Sequence, residues 1–139
     1  MRILALVILA LASSGAIPEG RTPASSGAEV YIISPKDGAT LKNPVVVQFG
    51  LRGMGVAPAG VPFANTGHHH LLIDTAAPAD MNVPLPASAN IMHFGKGQTE
   101  TQLTLSPGKH TLQLLFADLN HIPHQPPVIS KKITITVSE

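Results

Sequence analysis

From Glu29 onward the apolar residues fall into short runs separated by Gly, Pro, Asn and Asp. EVYII at 29–33 stops at Ser34-Pro35, and VVVQFGL follows at 45–51. GHHHLLID occupies 67–74, and IMHF is a short apolar piece at 91–94. TETQLTL at 99–105 alternates polar and apolar, and HTLQLLFA at 110–117 is the clearest strand pattern of the chain. SKKITITV at 130–137 ends the series. Turn residues stand between these runs: Asp37-Gly38, Pro107-Gly108, and two long Gly/Pro/Ala-rich stretches at 52–66 and 75–90. Residues 118–128 read as a further loop because Pro123, Pro126 and Pro127 interrupt them. No window after the first sixteen residues keeps a 3.6-residue apolar period. Short, evenly spaced strands of this kind predict an all-β fold. The closest match is an immunoglobulin-like antiparallel β-sandwich of about seven strands, and the alternative is a small β-barrel.

The N-terminus follows another plan. Arg2 precedes an unbroken apolar run from Ile3 to Ala12, and small residues follow at Ala10-Leu11-Ala12 and Ser14-Gly15-Ala16. That is the pattern of a secretory signal peptide over residues 1–16. The apolar run is too short to span a bilayer, which needs about 20 residues. Residues 17–28, IPEGRTPASSGA, read as a flexible leader, and 29–139 as a single β-sandwich domain. The expected location is therefore periplasmic or secreted, with no membrane contact after cleavage.

Composition removes several functions. The formal net charge is +1 and only 12% of residues are charged, so nothing marks a nucleic-acid partner. The absence of Cys excludes disulfides, a lipid-attachment cysteine and thiolate metal sites.

What remains is histidine. Seven are present, at 68, 69, 70, 93, 110, 121 and 124. On a strand, His68 and His70 share one face with Leu72 and Asp74, and His69 shares the other with Leu71 and Ile73. The triplet is then half of a metal site at most, and His69 is the structural member unless the faces are exchanged. Asp118, His121 and His124 recur at three-residue spacing in a proline-stiffened stretch that could hold ligands ready. The metal candidates are His68, His70, His93, His121 and His124, with Asp118 orienting an imidazole. Met54 and Met92 are possible thioether donors to copper(I). His110 lies on a mainly apolar face and reads as a structural, hydrogen-bonded histidine.

Four blocks carry a resemblance: SPKDGATLKNPVVVQFGLRGMGVAPAG, TGHHHLLID, IMHFGKGQTETQLTLSPGKHTLQLLFAD and NHIPHQPPVISKKITITV. Together they resemble the bacterial domain of unknown function 4399, over Val30 to Val137. The resemblance implies an extracytoplasmic bacterial domain without an established activity, and the family's recurring histidines match all seven here.

Three functions compete. Imidazole donors without thiolates favour copper, then zinc, over calcium or magnesium, so the first is a copper-binding domain, with zinc or no metal as alternatives. The second is a non-catalytic interaction or accessory domain whose histidines are a structural cluster, its partner another extracytoplasmic protein. The third is a metal-dependent enzyme. With no nucleophile elbow and no HExxH, the sequence leans away from catalysis.

Overall fold

The computed structural model describes residues 20–139, so the expected signal segment lies outside the described residues. Ten strands and no helix are present among them: β1 Glu29–Ser34, β2 Thr40–Leu41, β3 Val45–Arg52, β4 Gly55–Val56, β5 Thr66–Ile73, β6 Ile91–His93, β7 Glu100–Leu103, β8 Gly108–Ala117, β9 Pro123–Ile129 and β10 Ile133–Val137. They form two sheets. The smaller has the order β1-β3-β7, and the larger runs β2-β10-β8-β5-β4, with β9 also on β8 and β6 also on β5. Pairing is antiparallel except for two-residue parallel contacts of β2 with β10 and β4 with β5. The sheets do not close on each other, so the fold is a β-sandwich and not a barrel.

The core lies between the sheets. Val45, Val47 and Phe49 of β3 meet Leu71 and Ile73 of β5, Leu112, Leu114 and Phe116 of β8, and Ile135 and Val137 of β10. Each is a period-2 set from its own strand, the pattern that strands bury on one face. β5 and β8 are buried on both faces, because a second cluster of Leu72, Leu115 and Ala117 is covered by Leu85 and Ile91. Leu85 belongs to the long 75–90 stretch. That segment is therefore a cover for the outer face of the large sheet, anchored by the Leu85 N–H on the His121 carbonyl at 2.9 Å.

Two expectations change. Residues 118–128 are not all loop, because β9 starts at Pro123. Its register with β8 shifts between Phe116 and Ala117, which face Val128 and Pro123. Pro126 and Pro127 sit inside that irregularity, exposed, where no ladder N–H is required of them. The second concerns the leader. From Arg21 the chain is hydrogen-bonded to β9: Arg21 Nε donates to the Pro123 carbonyl at 2.9 Å, its Nη2 to the His124 carbonyl, and Ala24 and Thr22 exchange backbone bonds with Gln125. No helix of the described residues is long and apolar enough to cross a membrane.

Candidate metal centre

The site is built outward from β5. Its register with β8 pairs His68 with Ala117, His69 with Phe116 and His70 with Leu115. Paired residues share a face, so His69 joins Phe116 on the inner side while His68 and His70 join Ala117 and Leu115 on the outer side. The contacts agree: the His69 ring lies 5.1 Å from Phe49 and 5.1 Å from Phe116. On the other flank of β5, β6 sets His93 opposite His70, which brings a third imidazole to the outer face.

The fourth comes from the β8–β9 hairpin. Asp118 N donates to the Ile122 carbonyl and His121 N to the Asp118 carbonyl, both at 2.9 Å. His121 has φ 66°. This is the left-handed position of a three-residue hairpin loop, where an L side chain costs roughly 1 kcal/mol relative to Gly. In exchange the ring projects onto β5, with His121 Nδ1 3.0 Å from His68 Nε2.

His68, His70, His93 and His121 each present a ring nitrogen, and these four atoms lie within 4.8 Å of one another. Ring centroids are 4.8 Å apart for His68–His70, 4.9 Å for His68–His93 and 4.6 Å for His93–His121. Zinc–imidazole bonds of about 2.05 Å at tetrahedral angles put donor nitrogens about 3.3 Å apart, and trans donors about 4.1 Å apart. From the 4.8 Å bound, the widest pair has at most about 0.7 Å to close for trans donors and about 1.5 Å for tetrahedral ones, a shift that small ring rotations supply, so the cluster could hold a metal ion.

Burial is one-sided. His68 and His70 are 0% and 2% exposed, whereas His93 is exposed and His121 half-buried. Burial, then repulsion from His93 and His121, pushes His68 down to about 4. Burial, then repulsion from His68, takes His70 to about 3, and His93 is lowered by burial and by His121. These three rings are therefore neutral near pH 7, the form that offers a lone pair to a metal. The Nδ1 atoms of His68 and His70 are buried without a hydrogen-bond partner. His93 owes its place to Gly95, because a Cβ there would sit 2.2 Å from the His93 ring.

His124, the fifth expected ligand, is elsewhere. It stacks on Phe116 at 5.8 Å, and its Nε2 lies where a Cβ on Gly67 would meet it. Phe116 belongs to the inner face, so His124 and the four-histidine cluster are on opposite sides of the sheet. Asp118 also differs from expectation, since no imidazole is among its hydrogen-bond partners. Its Oδ1 accepts from Asn120 N (2.9 Å) and Ile122 N (3.0 Å), and its Oδ2 from Thr22 Oγ1 (2.5 Å). It shapes the hairpin that carries His121. Met54 and Met92 pack against the inner core and are not part of the cluster. His110 bonds Asp74 Oδ2 at 2.7 Å and the Ser106 carbonyl at 2.8 Å, and the Asp74 bond raises its pKa.

Sequence reasoning missed the wall of the site. Leu85, Pro86 and Ala87, with His70, His93 and His121, enclose a hollow of about 100 Å³ beside the rings. Nothing in an Ala/Pro-rich stretch signals such a role.

A family model described as Domain of unknown function (DUF4399) matches residues 47–138. The chain belongs to the DUF4399 family. The matched span begins inside β3 and takes in β4 to β10, all seven histidines and the whole four-histidine cluster. β1 and β2 precede it. No curated protein and no solved structure matches the chain.

Proposed function

We propose that this DUF4399 domain is an extracytoplasmic module that binds one transition-metal ion, copper first and zinc second, through His68, His70, His93 and His121. The observation that carries the reading is the convergence of four ring nitrogens within 4.8 Å from three separate chain segments. Three features support it. The buried His68 and His70 rings are held neutral, their Nδ1 atoms have no hydrogen-bond partner, and His121 occupies a left-handed backbone position that places its ring. Strained positions of that kind concentrate where function demands them. An all-imidazole donor set suits copper(II) and zinc, with copper higher in the affinity order. The N-terminal pattern of residues 1–16 supports export.

Calorimetric titration of untagged protein with copper(II) and with zinc(II) tests this. One equivalent is expected for copper, with zinc weaker, and the absence of heat with both ions would end the proposal. The second reading is an interaction domain with a structural histidine cluster. The His68–His121 hydrogen bond favours it, because that bond ties the hairpin to β5 without a metal. On that reading, a chelator and added copper leave the melting temperature unchanged.

A further inference from the structure

The hollow beside the four imidazoles is larger than an ion requires. It measures about 100 Å³, whereas a single water needs roughly 10–15 Å³ of such space. An ion bound by the cluster would have its inner side against β5, where His68 and His70 are buried, and its outer side toward His93, His121 and this hollow. The remaining wall is Leu85, Pro86 and Ala87. None of these side chains carries a polar atom, Pro86 lacks an N–H, and the Leu85 N–H is engaged by the His121 carbonyl at 2.9 Å. A ligand here therefore meets the metal, the rings and otherwise apolar side chains. Phosphate, with five non-hydrogen atoms and up to two charges, would lose more hydration without replacement than a small singly charged or neutral ligand that places its donor atom on the metal.

Resting on the metal-binding reading, we propose that the outward coordination position is kept open for an exogenous Lewis base of two or three non-hydrogen atoms. Azide is the representative probe. Four imidazoles do not prevent this, since zinc expands to five-coordinate and copper(II) in tetragonal fields retains weaker axial positions. The site is then a ligand-accepting centre and not a closed structural clasp.

The test is an azide titration of the copper(II)-loaded protein, followed by its azide-to-copper absorption band. Copper content is measured on the same samples, with inorganic phosphate as the competing anion. A saturable azide band that phosphate does not displace is expected. Ala87 is exposed, so Ala87→Phe can fill the hollow without entering the core. That variant is expected to keep one equivalent of copper and bind azide roughly tenfold or more weakly. One equivalent of copper with no azide band overturns the proposal, and so does an unchanged azide affinity in Ala87→Phe. Failure to bind copper at all would sink the metal-binding reading itself and this inference with it.

Discussion

At the scale of single residues, the three consecutive histidines have two different jobs. His69 is fully buried among aromatic rings, and neither ring nitrogen has a hydrogen-bond partner. An unpartnered buried polar group costs about 1–3 kcal/mol. His69→Leu, close in volume, is therefore expected to stabilise the metal-free protein by about 1 kcal/mol or more in chemical denaturation while leaving metal stoichiometry unchanged. Loss of metal binding in that variant would make His69 a ligand and break the face assignment. Gly95 makes the complementary case. A methyl group there collides with the His93 ring and not with backbone, so the ring moves while the fold persists. Gly95→Ala should weaken metal affinity roughly tenfold with little change in melting temperature, as read by competition with a chromophoric chelator. The face split of His68, His69 and His70 was legible because strand alternation is rigid. The separation of His121 from His124 was not, since three-residue spacing fixes no face once a hairpin and a register shift intervene.

At the scale of elements, the strands most clearly written in the sequence are those that build the core. β3, β5, β8 and β10 all carry unbroken β-rich runs, and they lie within a residue or two of the expected bounds except that β10 begins three residues later, at Ile133. β9 was hidden by its prolines, which signal loop when taken alone but are accommodated beside an irregular ladder. The 75–90 stretch was hidden differently. Its contribution is a wall made by Leu85 and its neighbours, and only tertiary packing reveals which face it covers. The hairpin that carries His121 depends on Asp118, which joins Asn120, Ile122 and Thr22. Asp118→Ala should loosen that loop and reduce metal affinity by roughly 10-fold to 100-fold. Thr22→Val removes one of the three bonds and is expected to give a smaller loss of the same sign. Equal affinity in Asp118→Ala and the unmodified protein would show that the hairpin does not position the ring.

At the scale of the whole molecule, burying neutral histidines ties stability to pH. His68 and His69 are lowered to about 4 and His70 to about 3, with burial the leading cause in each. The unfolded chain protonates these groups near pH 6.5, before the folded chain does. Their contribution is complete above that pH, declines as pH falls from 6.5 to about 4 for His68 and His69 and to about 3 for His70, and levels off below. His69 alone accounts for on the order of 3 kcal/mol of this loss. His110 acts in the opposite sense. Its raised folded pKa contributes stability that is present below pH 6.5 and fades as pH rises through the folded value. Metal-free protein is thus expected to lose stability steeply on mild acidification, and bound metal should be released over the same range because protons compete for the ligand nitrogens. Denaturation curves from pH 7 to pH 4 that superimpose would contradict the burial of neutral rings.

The most direct measurement is metal stoichiometry by equilibrium dialysis and elemental analysis on three untagged proteins with matching circular dichroism: unmodified, His68→Ala/His70→Ala, and His124→Ala. One equivalent, none, and one equivalent are the predicted results, because the first pair anchors the four-imidazole cluster and His124 lies across the sheet from it. A full equivalent retained by His68→Ala/His70→Ala, or its loss in His124→Ala alone, would contradict a metal centre on the outer face of β5.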